Sequence, residues 1–161
     1  MTAEATLSTI VHPPDIEAIA AIGAVLLTPP PASDLDAARE YVRLFVDPMG
    51  PCCPPWQSLY EEPGADPAGP RLMGAAHHSA LAWFQRFGFE PANRSEPADH
   101  IGLLLLFYAK FLGTEGVSEN TLEQFEEAHL TWVPEFVRRL RAANPAEPYR
   151  QAAETLAKLF L

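Results

Sequence analysis

Asp99 and His100 are adjacent and have the types from which polar sites are built: a carboxylate that can orient or pair, and an imidazole that titrates near neutrality. With Ser95 as nucleophile they would supply the orienter and base of a small hydrolase. No nucleophile elbow, oxyanion glycine turn or third partner accompanies them, which disfavours that chemistry. On residue type alone Asp99 is a helix-start carboxylate and His100 packs or hydrogen-bonds locally. His77 and His78 are neighbours and point to different sides of a helix, with no Cys, Asp or Glu at ligand spacing. The cluster Glu126, Glu127, His129 lacks the HExxH order of a zinc protease. Cys52 and Cys53 would form a strained disulfide if joined, and they read instead as reduced, partly buried thiols. These residues predict a protein that is not an enzyme and carries no metal or cofactor.

The elements that must position these residues are helical. Seventeen prolines cluster between periodic segments and act as punctuation rather than as a sign of disorder. Asp15 is placed to cap a first helix, IEAIAAIGAVLL, which Pro29, Pro30 and Pro31 stop. Ser33 or Asp34 caps a second, LDAAREYVRLFV, ended by Pro48. The stretch from Met49 to Pro70 is too proline-rich for a long helix, but Trp56, Leu59 and Tyr60 predict one anchored turn within an ordered crossing. A third helix is expected over Arg71 to Phe87, closed by Gly88.

Pro97 stands at the first turn of a fourth helix, with Ser95 or Glu96 at its cap, Asp99 at its positive end and the apolar run Ile101 to Gly113 as its body. Ser118 caps a fifth helix predicted to run on through a kink at Pro134, where His129 and Trp132 lie on an apolar face and read as core. PAEPYRQAAETLAKLFL makes a sixth. The expectation is an all-α, single-domain bundle of about six main helices over residues 1–161.

A formal charge of −10, from 11 basic against 21 acidic residues, disfavours nucleic acid and anionic lipid as partners and suits a cationic one. The N-terminal MTAEATLSTIVHPPD has no basic start followed by an apolar run, so a cytoplasmic protein is expected. The apolar run of the fourth helix falls short of the roughly 20 residues a bilayer requires, so stable membrane insertion is not expected.

Four segments, in order, resemble the TorD/DmsD/NarJ family of redox-enzyme maturation chaperones, also described as nitrate reductase delta-subunit-like. AREYVRLFVDPMGPCCPPWQSLYEE is similar to a tyrosine and LF followed by a proline-rich stretch and P-(aromatic)-x-S-(aliphatic)-Y, at Pro55, Trp56, Ser58, Leu59 and Tyr60. EPADHIGLLLLFYAKFL resembles the E-P-x-D-H-(I/L) signature at Glu96, Pro97, Asp99, His100 and Ile101. FEEAHLTWVPEFVRRLR is similar to an H-L-x-x-W-x-x-x-F helix at His129, Leu130, Trp132 and Phe136, and EPYRQAAETLAKLFL to the closing helix. The chain departs from the family at Leu104 and Leu106, where acidic residues are common, and is short between its first two helices.

The resemblance implies a chaperone that binds the twin-arginine leader or apo form of a molybdopterin-dependent oxidoreductase subunit until its cofactor is inserted, with a homodimer allowed. It implies that Asp99 and His100 form a polar corner at the mouth of a binding groove. Trp56 and Tyr60 either line that groove or pin the crossing to the bundle, and Glu96 either faces a leader arginine or is a solvated helix-start carboxylate. Family members are associated with guanine nucleotide, but no Walker-type glycine loop occurs here and none is predicted. The alternative is a permanent helical subunit of a redox complex that reads no leader.

Overall fold

The computed structural model describes residues 13–51, 53–61, 71–91 and 93–161. Helix α1 spans Pro13–Leu27, and α2 (Leu35–Tyr41) runs on into a π turn at Val42–Val46. A single 3₁₀ turn, Gln57–Leu59, interrupts the crossing. Then come α3 (Ala75–Arg86), α4 (Ile101–Leu112), α5 (Glu119–His129), α6 (Val133–Ala142) and α7 (Tyr149–Phe160). The described residues contain no strand, only one isolated antiparallel bridge between Trp56 and His100. The all-helical expectation is therefore met, as is the anchored turn after Trp56.

The centre is α4, in which Ile101, Leu103, Leu104, Leu105, Phe107, Tyr108 and Phe111 are all buried. A helix apolar nearly all round must be enclosed, and α1 lies along it. The departure from the family at Leu104 is thus a core position, fully buried. The two helices meet backbone to backbone: a Cβ added at Gly102 would stand 2.7 Å from the Gly23 carbonyl oxygen and 2.7 Å from Leu27 Cβ. Alanine at Gly102 gains about 1 kcal/mol of helix propensity but overpacks this contact, which costs about 1 to 3 kcal/mol. Gly102→Ala should lower the thermal midpoint and Gly102→Val should lower it further; a midpoint raised by alanine would refute the close approach.

Helix ends follow local chemistry. Asp34 caps α2 by accepting from the Ala37 N–H at 3.2 Å, and Ser118 caps α5 by accepting from the Thr121 N–H at 3.1 Å. After α3, Gly88 takes φ +68°, and the Phe89 N–H reaches back to the Phe84 carbonyl at 2.8 Å while the two rings meet with centroids 5.0 Å apart. That is a Schellman closure with its hydrophobic contact. Cys53 is buried, whereas Cys52 lies outside the described residues, as does the 62–70 part of the crossing.

Four expectations are corrected. The fifth helix is not one kinked rod: α5 stops at His129, and α6 begins at Val133 with Pro134 in its first turn, where a missing N–H costs nothing. The described residues thus hold seven α-helices, consistent with the expected bundle of about six main ones. Helix α4 starts at Ile101, not Pro97, because the His100 side chain is its cap and accepts from the Gly102 N–H at 2.9 Å. The described part of α1 begins at Pro13, which puts Asp15 in the first turn rather than at the cap, and α3 begins at Ala75 rather than Arg71.

Candidate functional site

The E-P-x-D-H segment folds as a corner that holds the crossing against the bundle. The Ile101 N–H donates to the Pro55 carbonyl at 2.7 Å and the Gln57 N–H to the Asp99 carbonyl at 3.1 Å, pairing the two segments at Trp56 and His100. The Asp99 carboxylate adds a third tie by accepting from the Ser58 N–H at 2.8 Å. Trp56 Nε1–H donates to Glu96 at 3.1 Å, and its ring stands edge-on to His100 at 5.9 Å between centroids. From below, the Ala98 N–H donates to His77 Nδ1 at 2.8 Å and links the corner to α3.

Asp99 is 0% exposed and His100 1%, and Pro97 is buried with them. They lie beneath the surface rather than at the mouth of a groove, because their polar atoms are needed to satisfy backbone donors that the corner buries. Glu96, Trp56 and Tyr60 are half-buried and reach the surface. Tyr60 leaves the corner: its hydroxyl donates to the Pro54 carbonyl at 2.8 Å, its ring packs on Trp132 at 4.9 Å, and the Arg139 guanidinium lies 4.8 Å from the ring centre. The structure thus brings Trp56, Glu96, Asp99 and His100 together and places Tyr60 beside α6.

With its Nδ1 accepting from Gly102, His100 carries its proton on Nε2; that atom, Asp99 Oδ1 and Ser58 Oγ are buried with no hydrogen-bond partner among the described residues. Burial alone pulls the His100 pKa down to about 4. His77 is also lowered, by burial first and then by His78, with Asp99 acting the other way.

A second network is invisible in the spacing. Gln57 Nε2 donates to the Ala128 carbonyl at 2.9 Å, so its Oε1 accepts from His129 Nδ1–H at 2.8 Å, which leaves His129 Nε2 to accept the Ser79 hydroxyl at 2.9 Å. Burial brings His129 down to about 4 as well. The order of nucleophile, base and orienter is that of a hydrolytic triad, but Ser79 sits in the middle of α3, where backbone N–H groups are spent on the helix and none is left to bind an oxyanion. The relay is a brace between three elements. Asp99 and His100 themselves bond to different partners and do not form the orienter and base of the hydrolase alternative. His129 and Trp132 are buried, in accord with their reading as core.

The family model for the nitrate reductase delta subunit matches residues 12–138, which include the crossing, the corner and the His129–Trp132 turn. The chain belongs to the nitrate reductase delta subunit family. The delta-subunit fold is also seen in the crystal structure of a proposed redox enzyme maturation protein from Archaeoglobus fulgidus, with a TM-score of 0.58 and 21% identity over 92% of this chain and 93% of that one. No curated protein matches the sequence. Among the described residues no group of three or more His, Cys, Asp or Glu side chains is placed to hold a metal ion, and no helix is long and apolar enough to cross a membrane.

Proposed function

We propose that this delta-subunit family member is a cytoplasmic, non-catalytic chaperone that binds the twin-arginine leader or apo form of a molybdopterin-dependent oxidoreductase subunit and assists cofactor insertion and assembly before export. Membership of the family carries the reading. The chemistry of the corner supports it: its carboxylate and imidazole hold backbone in place and its indole ties the crossing to the Glu96 side chain, which is work for a binding scaffold rather than for turnover. In this reading Trp56, Tyr60 and Glu96 offer client-facing surface, while Pro97, Asp99 and His100 fix it from beneath. The net charge of −10 suits a leader that joins arginines to an apolar stretch.

A twin-arginine leader peptide should bind in the micromolar range, about −8 kcal/mol. Replacing its apolar stretch should weaken binding more than replacing its arginines, since exposed ion pairs contribute only about 0 to 1 kcal/mol each. Calorimetric titration with three peptides tests this, and absence of binding by the leader together with no association with the apo subunit would sink the reading. A permanent subunit role is favoured by one observation. Leu35, Val42 and Val46, along α2 and its π turn, are 54%, 47% and 59% exposed, and Met49, in the turn that follows, is 89% exposed, together an apolar surface suited to a lasting interface. Co-purification at fixed stoichiometry with mature enzyme, without leader affinity, would select it.

A further inference from the structure

Away from the corner, α1, α4, α5 and α7 enclose a pocket of about 420 Å³. Its floor is apolar, formed by Ile19, Leu130 and Phe160, and one wall is the face of α5 that carries Glu123, Glu126 and Glu127. Such a volume is in the range that takes a few side chains of a ligand.

The wall is charged in a way the protein does not compensate. Carboxylates at i, i+3 and i+4 share one helix face and repel one another. Among the described residues no cation stands within salt-bridge distance of any of the three. The arginines of α6 pair with other acids, Arg138 and Arg139 with Glu135 and Arg141 with Glu154. Glu126 is instead fixed by the Tyr108 hydroxyl, which donates to it at 2.5 Å. Burial first, and then this carboxylate, push the phenol's pKa up, so it remains a donor at neutral pH. The result is a wall of three carboxylates, one of them immobilised, above an apolar floor.

We propose that this pocket takes an arginine of a client segment together with its aliphatic neighbours. An arginine is the side chain whose two ends match such a site. Its stem can lie on Leu130 and Phe160, while the planar guanidinium can bond two carboxylate oxygens at once. A lysine would supply charge but not the fork, and an acidic or neutral polar segment would leave the repulsion unrelieved. The inference rests on the client-binding reading above and adds to it a site outside the family signature.

The test uses the full chain and a synthetic peptide with two adjacent arginines followed by leucines, titrated calorimetrically at low and at physiological ionic strength. Glu123 and Glu127 are exposed, so the double variant Glu123→Gln/Glu127→Gln should keep its helical circular dichroism and thermal midpoint. It should bind the peptide about fivefold more weakly at low salt, the scale of exposed charge pairs, with a smaller loss at higher salt. A peptide with both arginines replaced by glutamine should bind the variant and the unaltered protein equally. Thr131→Arg, which puts a cation of the protein's own at the pocket, should cost more than tenfold. Unchanged affinity in both variants overturns the pocket assignment and leaves client binding standing. Failure of the unaltered protein to bind any form of the peptide overturns client binding itself, and the pocket's occupant with it.

Discussion

Acidification from about pH 7 to about pH 4 should remove a large part of this protein's stability. His100 and His129 are both held neutral by burial, with pKa near 4 against an ordinary 6.5. The unfolded chain takes up these protons first, so stability from this source is complete above about pH 6.5 and drains as pH falls toward 4, where the folded state begins to accept protons too. Each imidazole carries about 3 kcal/mol by this linkage, and the pair approaches the whole folding free energy of a small domain, roughly 5 to 15 kcal/mol. Glu40, lowered mainly by its hydrogen bond with Arg43, adds to the acid loss. Glu61, raised by burial, opposes it. The urea midpoint should fall steeply over that window, and His129→Gln should show a slope about half as steep, whatever its absolute stability. A midpoint that stays level down to about pH 4.5 would mean that these imidazoles are not shielded as the structure places them.

Asp99→Ala should destabilise the fold by about 2 to 3 kcal/mol, because it strips the Ser58 N–H of its acceptor inside the protein and loosens the pairing of residues 55–58 with 99–101. Asp99→Asn keeps an acceptor oxygen in place and should cost less. If the corner positions a client-facing surface, the double variant Asp99→Ala/His100→Ala, assayed well below its melting temperature, should also bind a leader at least tenfold more weakly. The mechanism would be indirect: His100 caps α4 and stands edge-on to Trp56, and Trp56 in turn is tied to Glu96. A melting temperature that falls while affinity holds would assign Asp99 and His100 to the scaffold alone.

Local signals in the sequence were sufficient to show that the chain is helical and to place several helix ends. Caps and stops act within one turn, so Asp34, Ser118, Gly88 and the Pro29–Pro31 run could be read from neighbours alone, and the apolar run of α4 could only be a buried helix. The family was equally legible, since E-P-x-D-H at residues 96–100 is a contiguous pattern, and the family model spans it. Where a local rule had two outcomes, only the fold chose. Pro134 fits either a kink or a first turn, and the break at Leu130–Trp132 took the second, with the Trp132 indole N–H donating to the His129 carbonyl at 2.8 Å across it. Burial of Asp99 and His100 was likewise undecidable from spacing, because it depends on the crossing folding back over them to present the Ser58 N–H. The Ser79–His129–Gln57 relay joins residues 50 and 72 positions apart. The acidic pocket needs α1 and α7, from opposite ends of the chain, to meet beside α5. Sequence patterns report what a residue does with its neighbours along the chain, whereas a site assembled from distant elements exists only once the core has packed and decided which polar groups meet.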